Sequence, residues 1–281
     1  MVNIGRLLLR GVAKIPLLIL MIFLVVPTFI IVAVSFGETS IITFPAQGFT
    51  LRWYEEVLAS QDWLQSIQRS IVVGVIASLF AALAGTSLAY AAARGALTRG
   101  VRSSVDLLAI APLAVPPVII ALGGYQMWNS MNLTGSAWLL IPLYALLGFP
   151  FVYLTSVSVI ERLDPNLEMA SASLGGGKVY TFFRVTLPVI LPAVLTGTAF
   201  AFITTLDEVV LALFIAGGYD PTLPLQIFSK LSFGVSPDVA AVSALQIIVT
   251  LLLAAAAWGY GRWKAHRIQR EKVRLSLQED E

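Results

Sequence analysis

Two carboxylates, Asp207 and Glu208, stand side by side inside an otherwise apolar run from Pro188 to Phe214. A charged side chain at the centre of a membrane helix costs about 2.5–3.5 kcal/mol on insertion scales, and less near the interface. Two adjacent acids therefore should not both face lipid; at least one must face a cavity, water or a cation. Thr204, Asp207, Glu208 and Leu211 fall at i, i+3, i+4 and i+7, one helical face. At ~1.5 Å per residue from Pro188, Asp207 is expected roughly 29 Å along the helix, in the outer half of the membrane. The chemistry open to this face is attraction of a cation, since a carboxylate in a low-dielectric cavity draws cations and rejects anions. A structural pairing with Arg69 or Lys230, both placed at the outer side, is the other reading of the same acids.

Other reactive equipment is missing. The chain has no cysteine and a single histidine, His266, which excludes disulfides, thiolate metal sites and histidine-based metal clusters or triads. Gly176-Gly177-Lys178 suggests a phosphate loop, but a Walker A loop needs a glycine where Ala172 stands and a hydroxyl where Val179 follows the lysine. The chain is not expected to bind ATP itself, so energy must come from a separate subunit or an ion gradient. No nucleophile–base pair is visible, and no cofactor, catalytic residue or metal is expected.

The segment 161–187 carries a second pattern. Asp164 and Asn166 are cap-type residues, and Leu167–Leu174 reads as a short helix with small residues, Ala170 to Ser173, over its surface. Gly175-Gly176-Gly177 ends it, and Lys178–Arg184 starts a second turn leading into Pro188. A small-residue helix at the membrane surface is shaped to enter a groove on another protein, or to fold back on its own bundle as a connector.

These residues must be held by membrane helices. Apolar residues make up 58% of the 281 and charged residues only 12%, with a mean hydropathy of +0.86, too little polar surface for a water-facing globule. Six runs approach the roughly 20 residues a span requires: about 15–36, 67–93, 104–127, 139–160, 188–214 and 239–260. The first is longer than a signal-peptide core and is read as a retained helix. With the N-terminus in the cytosol, the inside segments 1–14, 94–103, 161–187 and 261–281 hold 15 of the 18 Lys and Arg, leaving Arg52, Arg69 and Lys230 outside. Both termini are thus expected in the cytosol. Prolines within the runs (Pro16, Pro27, Pro112, Pro116, Pro117, Pro142, Pro150) and small residues around Ala77–Gly85 suit a closely packed, kinked bundle around a pathway.

The loop resembles the cytoplasmic coupling motif of ABC importer permeases: Glu-Ala-Ala, three residues, Gly, nine residues, then Ile-x-Leu-Pro. Gly175, nine residues, then Val185, Thr186, Leu187 and Pro188 match its second half. The first half departs from it: Met169 stands where the pattern has Glu, Ala170 matches, Ser171 replaces the second Ala, and Glu168 lies one position early. The stretches Leu206–Phe214, Leu223–Phe228 and Val235–Ala240 are similar to the second permease of spermidine/putrescine importers and their relatives for opines and other amino compounds. The resemblance implies an all-α fold of six transmembrane helices, the type I ABC importer permease fold with a cytoplasmic coupling helix, in one domain over 1–281. It implies an inner-membrane location, a homologous second permease, two copies of an ATP-binding subunit and a periplasmic substrate-binding protein. It further implies ATPase coupling through Glu168, Met169, Ala170, Ser171, Gly175, Leu187 and Pro188, and substrate passage at Asp207 with Glu208 and Thr204.

A self-contained secondary transporter using Asp207 or Glu208 as a proton or cation site is the competing class, although no internal repeat is visible. Tyr125, Trp128 and Tyr219 read as interface aromatics that could also line a cation path. Asn132-Leu133-Thr134 is a chance glycosylation triplet. The Arg262–Arg274 tail reads as an anchor to anionic lipid headgroups, with no sign of nucleic-acid binding.

Overall fold

The computed structural model describes residues 14–95, 97–234 and 236–279, without the side chains of 14, 15, 17, 233 and 262–279. The basic N-terminal segment and the side chains of the Arg262–Arg274 tail therefore lie outside the described residues. All regular elements among the described residues are helical: α1 Lys14–Val34, α2 Arg52–Ala59, α3 Gln61–Arg94, α4 Arg99–Ala114 and α5 Pro117–Ser130. After a 3-10 turn at Ala137–Leu139 come α6 Leu140–Ile160, α7 Pro165–Ser173 and α8 Lys178–Thr181. A π-helical turn, Phe182–Thr186, joins α8 to α9 Leu187–Leu206, followed by α10 Val210–Ile215, α11 Leu223–Phe233 and α12 Pro237–Glu279.

Four stretches are long and apolar enough to cross a membrane: Gln61–Arg94, Ala137–Ile160, Lys178–Leu206 and Pro237–Gly261. The expected third span is broken instead. α4 and α5 meet at an angle of 94°, because Pro116 and Pro117 supply no amide hydrogens and Pro116 pushes Val115 out of helical geometry. The apolar part of α1, Leu18–Val34, is shorter than the other spans, reaching about 26 Å at ~1.5 Å per residue. The expected run 188–214 also changes: its helix begins at Lys178 and stops at Leu206.

The described residues divide into two compact units, 14–64 with 227–249 and 65–226 with 250–279. In the first, the Trp53 indole donates to the Gly37 carbonyl at 2.7 Å, and the Trp63 indole donates to Asp238 Oδ2 at 3.1 Å. Lys230 completes that corner, with Nζ 3.1 Å from the same Asp238 oxygen and 4.9 Å from the Trp63 ring centre.

In the second unit α6 and α9 form an extensive helix pair. Glycines and alanines let the backbones approach, as lipid-embedded helices require. A Cβ on Gly148 would meet the Ala201 Cβ at 2.7 Å, and one on Gly197 would meet Val152 Cα at 2.7 Å and the Phe151 carbonyl at 2.9 Å. The Thr155 hydroxyl, nearer still, could rotate away, but the Val152 and Phe151 atoms are backbone and cannot. Gly197→Ala should therefore part α6 from α9 and destabilise the bundle by about 1–3 kcal/mol. The check is thermal unfolding in detergent beside Gly123→Ala, whose Cβ meets nothing within 4 Å; equal midpoints for the two variants would refute the close packing.

Candidate translocation and coupling sites

The helix that was expected to carry Thr204, Asp207, Glu208 and Leu211 on one face does not exist in that form. α9 ends at Leu206, Asp207 is its C-cap residue at φ −107°, and α10 starts at Val210. The hydroxyls of Thr204 and Thr205 turn back onto their own helix, donating to the Phe200 carbonyl at 2.9 Å and the Phe202 carbonyl at 2.7 Å. Such back-bonding loosens a helix end. Continuing the helix would have driven two adjacent carboxylates along one apolar surface, whereas breaking it separates their fates.

Glu208 becomes part of the architecture. Its Oε1 accepts from the Leu211 amide at 3.0 Å, satisfying a donor at the start of α10. Its carbonyl accepts from the Tyr144 hydroxyl at 3.0 Å. Tyr144 is buried on α6 among Leu140, Leu143, Leu211 and Ile215, so the phenol at once fills the core and satisfies a carbonyl freed by the break. Asp207 is exposed, and among the described residues no hydrogen bond or ion pair reaches its carboxylate.

The cations proposed as structural partners are engaged elsewhere. Arg69 forms an ion pair with Asp220, whose other oxygen accepts from the Ala137 amide at 2.7 Å. Lys230 is paired with Asp238. Of the interface aromatics, Trp128 packs partly buried against the Tyr144 cluster, while Tyr125 and Tyr219 are exposed.

At the other end of the bundle the loop 161–187 is built as its spacing predicts. The Asp164 carboxylate accepts from the Asn166 amide at 2.9 Å, Pro165 opens α7, and Gly175 adopts φ +87°. Amides of Gly175 and Gly176 return to the carbonyls of Ala172 (3.0 Å) and Ser171 (2.9 Å), closing the C-terminus. α7 then has two faces. Glu168 and Ser171 turn inward: Glu168 Oε1 accepts from the Thr186 hydroxyl at 2.7 Å, and Ser171 shares a hydrogen bond with Thr181 at 2.8 Å. Leu167, Met169 and Ala170 point outward, and Leu174, 91% exposed, projects furthest. Leu167, Ala170, Leu174, Gly175, Tyr180 and Arg184 line a groove of about 650 Å³ along this surface. Leu187 is half-buried and Pro188 exposed at the start of α9.

Tyr144, Arg94 and the π-helical turn were not singled out from the sequence. A tyrosine inside an apolar span was a usable signal, since a buried hydroxyl needs a partner. Arg94 was legible only as an inside charge.

Residues 83–264, well over half of the chain, match the family model described as binding-protein-dependent transport system inner membrane component. The putrescine transport system permease protein PotI of Escherichia coli is 29% identical over 263 residues, covering 90% of each chain. The spermidine/putrescine transport system permease protein PotC of Escherichia coli is 28% identical, over 84% of this chain and 88% of its own. The putative 2-aminoethylphosphonate transport system permease protein PhnV of Salmonella typhimurium is 29% identical, over 73% and 77%. Among solved structures, a bacterial ABC transporter that imports the acidic polysaccharide alginate matches with TM-score 0.68 at 16% identity, over 92% of this chain and 98% of that one. The inward-facing MetNI methionine ABC transporter matches with TM-score 0.56 at 16% identity, over 74% and 96%. The all-α fold, with its broken spans and surface helix α7, is that of a type I ABC importer permease. The family match over residues 83–264, joined to that fold, shows that the chain belongs to the binding-protein-dependent transport system inner membrane components.

Proposed function

We propose that this permease passes a small cationic amine from a periplasmic binding protein to the cytosol, as one permease domain beside a homologous second permease and two copies of an ATP-binding subunit. The observation that carries the substrate class is Asp207: an exposed carboxylate that no cation among the described residues pairs, at a helix break inside an apolar run. The substrates named for the relatives, putrescine, spermidine and 2-aminoethylphosphonate, all bear a primary amine that is protonated at neutral pH. Glu208 and Thr204 shape the break around Asp207. The outward face of α7, with Met169, Ala170 and Leu174, docks in the ATP-binding subunit, and Gly175, Leu187 and Pro188 fix its angle to α9. The location is the inner membrane, with α7 and both termini in the cytosol and the basic tail against anionic lipid.

The absence of cysteine makes the topology directly testable. Single cysteines in place of Leu174 and Gly218 should react with an impermeant maleimide only from the cytosolic side and only from the periplasmic side, respectively. The purified complex, reconstituted in liposomes with its binding protein, should import labelled putrescine on ATP and without an ion gradient. Uptake that needs no ATP and collapses with a protonophore would instead establish the secondary transporter.

A further inference from the structure

We infer that Glu168 acts on no partner protein: it is a positioning residue that latches the coupling helix to two membrane helices, through Arg94 at the end of α3 and Thr186 in the π-helical turn. The inference rests on the importer reading above and gives the displaced acid of the loop a role of its own.

Both carboxylate oxygens of Glu168 are already occupied. Oε1 takes the Thr186 hydroxyl at 2.7 Å, and Oε2 lies 3.0 Å from Arg94 Nε. The Nε hydrogen is not aligned on that oxygen, so the second contact is an ion pair rather than a hydrogen bond. The two side chains are only 15% and 16% exposed, and what remains of their surface opens on a groove of about 550 Å³ that Tyr90, Met169 and Lys178 also line. Arg94 also donates from Nη2 to the Leu163 carbonyl at 2.7 Å, holding the backbone just before α7. One guanidinium thereby fixes both the entry of the coupling helix and its first turn. A guanidinium suits this task because its donors diverge in a rigid plane.

The far side of the latch depends on the π-helical turn. A π-turn widens the helix by one residue and is found frequently at functional sites. Here it lies between α8 and α9, with Thr186, its last residue, buried against Glu168. Tyr90, one turn before Arg94, meets Phe182 edge to face at 5.0 Å, which ties α3 to the π-helical turn again, and Ser171 bonds Thr181, which ties α7 to the end of α8 just before that turn. Met169, the residue at the acid's position in the importer pattern, is exposed instead. Displacement of the acid by one position rotates it about 100° around α7, from the docking face to the bundle. A push on α7 is then delivered to α3 and α9 together, because a buried ion pair cannot be parted without leaving an uncompensated charge.

The experiment compares Glu168→Gln, Arg94→Gln, Thr186→Val and Thr186→Ser in the reconstituted complex. It measures co-purified ATP-binding subunit, stimulation of ATP hydrolysis by loaded binding protein, and substrate imported per ATP. The latch predicts wild-type amounts of ATP-binding subunit in all four, with import per ATP lowered about three- to tenfold in the first three. Thr186→Ser, which keeps the hydroxyl, should restore it. Thr186→Val with Glu168→Gln should be no worse than the stronger single change, since both open the same contact. Loss of ATP-binding subunit in Glu168→Gln alone, with Thr186→Val normal, would overturn the proposal by placing Glu168 in the subunit interface. So would wild-type coupling in Thr186→Val, the mildest change and the one least exposed to misfolding. Absence of ATP-driven uptake in the unmodified complex would defeat the importer reading first, and the latch with it.

Discussion

Asp207→Asn lowers uptake per assembled complex about ten- to a hundredfold, the equivalent of one lost charge-assisted contact of roughly 1.5–3 kcal/mol. The substitution keeps the shape of the side chain and removes only its charge. Because no protein group pairs with the carboxylate among the described residues, neutralising it strands no buried cation, and membrane abundance should hold. Glu208→Gln supplies the contrast. Its amide oxygen can still accept from the Leu211 amide, so uptake should stay within about twofold of wild type if Glu208 serves the break and not the substrate. Measuring labelled putrescine uptake, normalised to co-purified complex, in both variants and the double decides the matter. Unchanged uptake in Asp207→Asn removes the cation site and leaves the substrate open. An equal loss in Glu208→Gln would return that residue to the pathway.

Gly175→Val should uncouple the transporter without removing it from the membrane. Gly175 sits at φ +87°, where a side chain costs about 1–2 kcal/mol and a β-branched one more. A Cβ there meets nothing within 4 Å, so the penalty is backbone strain and not collision. To relieve it, the turn must abandon the amide–carbonyl contacts that close α7 and aim Leu174 and the groove beside it. Roughly five- to thirtyfold fewer complexes would then present the helix correctly, and uptake and substrate-stimulated ATP hydrolysis should fall together. Gly175→Asn, which tolerates a left-handed backbone, should lose far less. Val and Asn variants of equal activity would mean that the angle of α7 does not govern coupling.

The apolar runs, the short helix between two membrane helices and its stop at Gly175 were legible along the chain because each is decided within a few residues. Hydropathy needs no partner, Asp164 caps an amide two residues on, and three successive glycines leave a helix no continuation. The proline-rich stretch from Pro112 to Pro117 announced a distortion, but not that it would become a 94° break.

What only the tertiary structure decided are the pairings of residues distant in the chain. Helical periodicity put Asp207 and Glu208 on one face, yet the helix stops at Leu206, and Tyr144, on another helix, offers its hydroxyl to the Glu208 carbonyl beyond the break. The displaced acid of the coupling loop had no definable role until Arg94 and Thr186 closed on it from α3 and the π-helical turn. Arg69 was a possible partner for the acidic pair until Asp220 took it. Sequence spacing therefore determined that this chain carries two carboxylates at the end of an apolar stretch and a short helix between two longer ones. Which carboxylate stays free, and what the surface helix is fastened to, depended on which distant polar groups the packed helices brought within about 3 Å, since a polar group buried in a low-dielectric bundle is costly to leave without a partner.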